Sequence, residues 1–441
     1  MSGVLTGTYR PAVDRPGASN GLDPYAVTHP IAPYGRRGQH ARGSAIDASM
    51  SILAAAPRDV ISLAMGSPAP DAIPTAEIAA ATADVLAAVD GGSALDYVPT
   101  EGHPALRRGL LERLEAQGLS ANPACLLVTA GGMQGLDLAC RLFLDPGDLV
   151  LAESPSYANG LATAHNNGGE IVQVPVDDEG LDLDAARAAV DEAGRAPRLV
   201  YAIPTFQNPS GVTYSLARRE GLLELARGWG AIVVEDDPYS ELDYGNWELP
   251  SLLRLDGGAG HVVQVRTFSK IVAPGLRLGW VVGPSDAVTR MIAAKQSMDT
   301  CANSLAQRVV ARLLGDGTVD RHVERLRQLY PTRRDAMLTA LHEHLGPLGA
   351  SWTQPRGGMF VWVSLPSVDG EAVLANGLAA GVAVVPGSAF DAVRCRNAIR
   401  LCFSSVNEEA IAEGVRRLGS TIAGLLATDP TTAPAASVAN A

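Results

Sequence analysis

Short apolar segments alternate with amphipathic segments through the middle of this chain, and this alternation constrains its fold more than any other feature. The apolar segments are 125–128, 149–152, 199–203, 231–234 and 262–265. Between two of them, Leu216 to Trp229 has the spacing of a helix. Strands and helices that take turns form a mostly parallel sheet covered by helices on both faces. The sequence therefore predicts a large α/β domain.

The pattern changes after about Met291. Long helical patterns at 302–314 and 319–345 are followed by strand-like segments at 351–365, 382–386 and 399–403. We therefore predict a large domain over 44–300, whose first residues pack on a smaller α+β domain over 301–427. The Gly/Pro-rich residues 1–43 and the Ala/Thr/Pro-rich residues 428–441 are expected to form a flexible arm and tail.

Composition excludes several classes of protein. With 441 residues, 47% of them hydrophobic and 19% charged, the chain can bury a sizeable core. A net charge of -12 argues against a nucleic-acid partner. The five cysteines are scattered and never spaced Cys-x-x-Cys, which argues against a disulfide framework and a zinc site. Neither a signal peptide nor an apolar run of about 20 residues is present, so we expect a cytoplasmic protein without a membrane partner.

Polar residues follow five of the predicted strands, at the sheet edge where open parallel sheets bind ligands. After the first strand, Gly131, Gly132 and Met133 precede a helix whose N-terminus suits a phosphate, although a purely structural turn would use the same glycines. The dinucleotide and Walker spacings are missing. Tyr157 and Asn208 follow the next two strands, and either residue alone is more typical of packing or of a turn.

The last two strand ends carry opposite charges. Glu235, Asp236 and Asp237 form a cluster of carboxylates that favours a cationic partner, although one of them also fits a helix cap. Lys270 follows the fifth strand with Arg277 close behind, and a second cation nearby lowers the pKa of a lysine and makes it a better nucleophile. A surface lysine is the alternative.

Other chemistries find less support in the sequence. His342 and His344 are two positions apart, so a helix would not present both rings on one face, and no metal site is predicted. A Gly-x-Ser-x-Gly motif, typical of serine hydrolases, is absent.

Taken together and in this order, the five strand ends resemble the fold-type I pyridoxal-phosphate-dependent aminotransferases of class I and II, most closely the branch of aminoadipate and kynurenine aminotransferases. The most specific motifs are 207–211, 235–239, and 268–270 with Arg277, and the resemblance spans about 59–425. It implies an α/β fold whose large domain has a mostly parallel seven-stranded sheet covered by helices, with a smaller C-terminal α+β domain. The implied cofactor is pyridoxal 5′-phosphate.

The resemblance also assigns roles around the ring of that cofactor. Lys270 is implied to be the catalytic Schiff-base lysine, which also moves the proton during the reaction. Asp236 is implied to pair with the pyridine nitrogen. Asn208 and Tyr239 are implied to hydrogen-bond the ring 3′-oxygen, and Tyr157 to stack on the ring face.

Further residues are implied to hold the cofactor phosphate and the substrate. The phosphate group comprises the side chains of Thr267, Ser269 and Arg277, the backbone of Gly132 and Met133, and Tyr97 from the neighbouring subunit of a homodimer. The substrate group comprises Arg400, which binds the α-carboxylate, together with Gly66 and Asn208.

Two positions depart from the family pattern. Close relatives usually have Ser-Gln where this chain has Gly132 and Met133, which removes a hydroxyl donor from the phosphate site. Asp47 stands where relatives that use dicarboxylates can place an arginine, and a negative residue there favours a neutral or basic substrate side chain. Asp47 also fits the start of a helix near Met50.

The predicted function is therefore the transfer of an amino group between an L-amino acid and a 2-oxo acid by a ping-pong mechanism, with a polar or basic side chain favoured. One alternative is another reaction on the same cofactor, catalysed by a decarboxylase, a lyase or an oxidase. A second is a non-catalytic effector-binding domain of a transcription regulator. The residues before the family match are too few and too rich in Gly and Pro for the DNA-binding domain of such a regulator.

Overall fold

The structure is a computed structural model that describes residues 35, 38–39, 41–44, 59–88, 90–119, 122–245 and 249–428. The chain divides into two compact units, Met1–His40 and Ala41–Ala441. In the first unit the Gln39 N–H donates to the carbonyl oxygen of Gly35. The predicted arm and tail lie largely outside the described residues, as does Asp47, and the domain boundaries stay a prediction.

The second unit contains the strands and helices from which the site is built. The strands are β1 Ile61–Ser62, β2 Leu126–Thr129, β3 Leu149–Ser154, β4 Glu170–Asp177, β5 Gly180–Leu181, β6 Leu199–Ala202, β7 Ile232–Asp236, β8 Val262–Thr267, β9 Gly279–Val282, β10 Ser351–Trp352, β11 Phe360–Ser364, β12 Val382–Ala383, β13 Val385–Pro386 and β14 Ala398–Cys402. The helices are α1 Thr75–Ala87, α2 Pro104–Ala116, α3 Gly132–Phe143, α4 Ala158–Asn166, α5 Leu183–Ala193, α6 Leu216–Trp229, α7 Leu252–Asp256, α8 Ser285–Gln296, α9 Ser304–Gly315, α10 Thr318–His344, α11 Gly370–Ala379 and α12 Glu408–Thr428.

The large sheet has the strand order β2-β9-β8-β7-β6-β3-β4-β5. Neighbouring strands from β8 through β4 pair in parallel, whereas β9 is antiparallel to both β2 and β8. The predicted mostly parallel α/β sheet is thereby confirmed. The strand count is eight in the described chain instead of the expected seven, because the two-residue strand β5 pairs antiparallel with the end of β4.

The smaller sheet is antiparallel and has the order β10-β11-β14-β13. The segment 351–365, which reads as one strand in the sequence, is divided between β10 and β11. Near the start of the described chain, β1 pairs in parallel with β12, so that Ile61 lies opposite Val382. A smaller α+β region after the large sheet is therefore present, and residues from before that sheet pack on it.

Local sequence explains the boundaries of these elements. Every residue of the parallel strands β3, β6 and β7 is buried, as expected for strands covered on both faces, and so is every residue of β2. The bounds of α6 match its prediction: Ser215 caps it by accepting a hydrogen bond from the Arg218 N–H at 3.2 Å, and Gly230 ends it in the left-handed region. Within the described ranges, no helix has the length and the apolar character needed to cross a bilayer.

Helix α3 lies unusually close to the sheet, because Gly135 faces β8 and β9. A Cβ atom at this position would lie 2.8 Å from Val265 Cγ1 and 2.9 Å from Val281 Cγ2. The close approach brings the free N–H groups at the start of α3 to the edge where β7 and β8 end. The fold thus places a helix N-terminus beside the polar strand ends.

Candidate active site

A cavity of about 360 Å³ lies at the carboxyl ends of the parallel strands and is closed on one side by residues of the smaller sheet. Twelve of the residues selected from the sequence line it. They are Gly66, Gly132, Met133, Tyr157, Asn208, Asp236, Tyr239, Thr267, Ser269, Lys270, Arg277 and Arg400. Tyr97 does not line this cavity and is 78% exposed.

Lys270 lines the cavity and donates a hydrogen bond from Nζ to the carbonyl oxygen of Gly66 at 2.5 Å. Desolvation, together with the positive charges of Arg400 and Arg277, lowers the pKa of Lys270 to about 8, against the opposing effect of Asp236. A lysine with this pKa carries a substantial neutral, nucleophilic fraction near pH 8.

Asp236 ends β7 and brings a buried carboxylate to the cavity. Its Oδ2 accepts a hydrogen bond from the hydroxyl of Tyr201 at 2.7 Å. The pKa of Asp236 is raised to about 7, chiefly by burial and also by the charges of Asp237 and Glu153, and the Tyr201 hydrogen bond opposes this rise. A cationic N–H group in the cavity would stabilise the ionised form.

Arg400, on β14, presents a guanidinium that is only 2% exposed. Its Nη1 donates to Asn208 Oδ1 at 3.0 Å and its Nη2 to the carbonyl oxygen of Ala64 at 2.6 Å. The rings of Phe360 and Phe390 lie 4.3 Å and 5.2 Å from the guanidinium carbon. Within the described residues Nε has no partner and no carboxylate pairs with the group. Arg400 is thus a buried cation suited to an anionic ligand.

Donors suited to a second anion lie at the other end of the cavity. The hydroxyl of Thr267 donates to the hydroxyl of Ser269 at 2.8 Å, next to the N-terminus of α3. Arg277 is held in the left-handed region with φ 51°. Its guanidinium lies so close to Gly131 that a Cβ there would be 2.7 Å from Nη2, and Gly131 itself has φ 82°. The positive φ favours glycine at 131, and a side chain there would also displace the Arg277 guanidinium.

Aromatic side chains border the space between these two ends. The Tyr157 hydroxyl lies 3.8 Å from the sulfur of Met133. Tyr239 is buried, with its ring edge-on to Phe360 at 5.8 Å. The groups that line the cavity fit pyridoxal phosphate. Hydroxyls, a guanidinium and a helix N-terminus suit its phosphate, an amine suits its aldehyde, and a carboxylate suits its ring nitrogen.

Three residues important to this arrangement were missed in the sequence. Tyr201 holds Asp236, Phe390 covers one face of Arg400, and Glu153 accepts hydrogen bonds from the loop that carries Asn208. Tyr201 gave no signal because it lies inside the apolar run that predicts β6, where a tyrosine is typical of core packing. Glu153 directly follows the apolar run 149–152, at one of the polar strand ends. An acidic residue in that position is the signal that would have identified it.

Comparisons with known proteins agree with this geometry. The family model for aminotransferase class I and II matches residues 58–418. The aromatic-amino-acid aminotransferase 1 of Thermococcus litoralis is 42% identical over 370 residues, which cover 82% of this chain and 88% of that protein. The 2-aminoadipate transaminase of Thermus thermophilus is 40% identical over 372 residues, which cover 83% of this chain and 91% of that protein.

A solved structure gives the same result. LysN, the alpha-aminoadipate aminotransferase of Thermus thermophilus, was crystallised with N-(5′-phosphopyridoxyl)-L-leucine. It superposes with a TM-score of 0.82 at 37% identity and covers 90% of this chain and 98% of its own. The resemblance found in the sequence is confirmed: the chain belongs to the class I and II aminotransferases of fold type I, and it is a transaminase dependent on pyridoxal 5′-phosphate.

Proposed function

We propose that the cavity around Lys270 is the reaction centre, where an amino group passes from an L-amino acid to a 2-oxo acid in two half-reactions. The observation that carries this proposal is that the Lys270 amine, with its lowered pKa, lines the same cavity as the carboxylate of Asp236 and the guanidinium of Arg400. Pyridoxal phosphate, when bound, supplies an aldehyde for the amino group and a ring that takes up the electron pair left at the substrate Cα.

Different side chains move the proton and hold the cofactor ring. With the cofactor bound, the Lys270 amine would move the proton from the substrate Cα to the cofactor C4′ in the first half-reaction, and in the opposite direction in the second. Asp236 accepts a hydrogen bond from the ring N–H and keeps the ring cationic. Asn208, whose amide oxygen is engaged by Arg400, has its amide N–H₂ left to donate to the ring 3′-oxygen together with the Tyr239 hydroxyl. Tyr157 covers the ring face.

Both ends of the cavity bind anions. Arg277, the hydroxyls of Thr267 and Ser269, and the N–H groups of Gly132 and Met133 hold the cofactor phosphate. Because Gly132 and Met133 contribute no hydroxyl, the backbone at the start of α3 supplies more of this binding. At the other end, Arg400 holds the α-carboxylate of the substrate, with the backbone of Gly66 beside it. The cytoplasmic location expected from the sequence is part of the same proposal.

Attachment of the cofactor can be tested sharply because the chain has only two lysines, Lys270 and Lys295. Lys295 is buried and pairs with Asp299 at 2.6 Å, so it serves as an internal control. Borohydride reduction of the holoenzyme, followed by digestion and mass spectrometry, is expected to fix one pyridoxyl group per chain on the peptide with Lys270 and none on Lys295. Lys270→Ala should lose both the label and turnover. Label on Lys295, or wild-type turnover in Lys270→Ala, would refute the assignment.

Replacing Arg400 by Ala should weaken binding of the carboxylate more than it slows the chemistry. Loss of a charge-assisted bidentate contact costs about 3 kcal/mol, so the KM for both the amino acid and the oxo acid should rise about a hundredfold. Steady-state kinetics with each substrate varied in turn would measure this. Arg396→Ala is the matched control, because Arg396 is exposed and pairs with Asp369. Equal KM values in Arg400→Ala and wild type would contradict the proposed role.

The proposal includes a homodimer in which Tyr97 reaches the phosphate of the neighbouring site. Its support is the 78% exposure of this large aromatic side chain beside Leu95, which is 71% exposed. A heterodimer of one Lys270→Ala subunit and one Tyr97→Ala subunit, purified with two tags, distinguishes the possibilities. If Tyr97 acts across the interface, one site is wild type and the heterodimer should have about half of the wild-type activity. Activity no higher than half that of the Tyr97→Ala homodimer would place Tyr97 in its own subunit's site.

For the substrate, we propose a polar or basic side chain that lies near Asp47. The support is the negative charge at a position where an arginine would suit a dicarboxylate. Asp47→Asn is expected to lower kcat/KM for arginine or lysine relative to glutamate about tenfold, since about 1.4 kcal/mol corresponds to a factor of ten. Asp59→Asn is the control on the same part of the chain. An unchanged ratio in Asp47→Asn would remove Asp47 from substrate selection.

A further inference from the structure

Tyr201 is a buried tyrosine whose hydroxyl has a fixed place against Asp236. The side chain is 3% exposed, and its hydroxyl donates to Asp236 Oδ2 at 2.7 Å. Helix α4 packs Gly160 against the ring, and a Cβ atom at 160 would lie 2.4 Å from the hydroxyl oxygen. The glycine therefore makes the space that the hydroxyl occupies, and the packing confines the hydroxyl to its position beside the carboxylate.

The hydrogen bond leaves the two oxygens of Asp236 in different situations. Oδ2 is occupied by Tyr201, whereas Oδ1 has no donor among the residues that the structure describes, and Asp236 lines the cavity. A carboxylate with both oxygens free could rotate and present either one. The hydrogen bond from Tyr201 opposes this rotation and leaves Oδ1 as the available acceptor.

We propose that Tyr201 is a positioning residue for Asp236, holding this carboxylate ionised and presenting Oδ1 to the ring nitrogen of the cofactor. The inference rests on the proposed role of Asp236. The Tyr201 hydroxyl donates its hydrogen bond to this carboxylate, so its effect on the reaction passes through Asp236.

The charged groups around Asp236 explain why a donor is needed there. Burial, together with the charges of Asp237, the next residue after β7, and Glu153 on β3, raises the pKa of Asp236 to about 7. Lys270 and the Tyr201 hydroxyl act in the opposite direction. Tyr239, whose own pKa is raised by burial, also faces the carboxylate and carries no charge near neutral pH. Without Tyr201, Lys270 is the one group of this set that favours the ionised form.

The expected consequence is a shift in the pH range in which the cofactor is held. The ionised carboxylate accepts from the ring N–H, so retention weakens as pH falls through the pKa of Asp236. Tyr201→Phe keeps the ring and removes only the hydroxyl. The pKa of Asp236 then rises, and retention should weaken at a higher pH than in wild type.

The experiment compares wild-type, Tyr201→Phe and Tyr330→Phe holoenzymes. Each is diluted at a series of pH values between about 5.5 and 9, and the release of pyridoxal phosphate is followed by its fluorescence. Tyr330 is a matched control because it is buried and its hydroxyl has no partner among the described residues. Towards the acidic end of the series we expect release from Tyr201→Phe to be about tenfold faster than from the other two, with rates that converge towards about pH 9.

Two results would overturn the inference. One is the same midpoint of the pH profile in Tyr201→Phe and wild type. The other is faster release by the same factor at every pH together with a lower melting temperature, which marks a purely structural role. Failure of the wild type to attach the cofactor at Lys270 would instead refute the proposed function, so the two failures are distinguishable. Because Arg400 is untouched, the KM for the oxo acid in Tyr201→Phe should stay within about twofold of wild type.

Discussion

The buried carboxylate of Glu153 organises the edge of the sheet on which the site is built. It accepts hydrogen bonds from the Ile203 N–H at 3.0 Å, the Tyr214 hydroxyl at 2.6 Å and the Gln207 side chain at 2.9 Å. Burial raises its pKa and these donors lower it. Hydrogen bonds to a charged group stabilise by about 1.5–3 kcal/mol each, so the loop after β6 is held firmly to the end of β3. That loop carries Asn208, which in turn contacts Arg400.

Two buried arginines near this edge differ in whether acidic side chains of the protein neutralise their charge. Arg266 has its own acids, with Asp237 at 3.4 Å and Glu241 at 3.0 Å, so its charge is neutralised within the protein. Arg400 has aromatic rings on its faces, and a neutral amide and a carbonyl as its hydrogen-bond acceptors. An uncompensated buried cation is costly to maintain. In the proposed reaction, the α-carboxylate of the substrate supplies the anion that neutralises Arg400.

Sequence patterns predict the parts of this molecule that depend on local order along the chain. The apolar runs locate β3, β6, β7 and β8, and the parallel arrangement implies that the polar residues after them meet at one edge. Strand β9 was missed because Gly279–Val282 follows a loop rich in Gly and Pro and pairs antiparallel. Tyr201 was missed because its partner, Asp236, is 35 residues away and only the neighbouring positions of β6 and β7 bring them together. The contacts of Phe390 depend likewise on how two sheets pack.

The orientation of Arg400 depends on contacts that connect the two sheets around the guanidinium. Asn208, in the loop after β6 of the large sheet, accepts one of its hydrogen bonds. The ring of Phe390 lies 5.2 Å from the guanidinium carbon. Two hydrogen bonds from the large sheet hold this segment: the Gln173 side chain of β4 donates to the Phe390 carbonyl oxygen at 3.2 Å, and the Ser154 hydroxyl of β3 donates to the Asp391 carboxylate at 2.5 Å. A single hydrogen bond would leave the planar group free to tilt, whereas a ring held against its face prevents this. The orientation of a bound α-carboxylate is therefore a property of the interface between the sheets, and neither sheet alone could provide it.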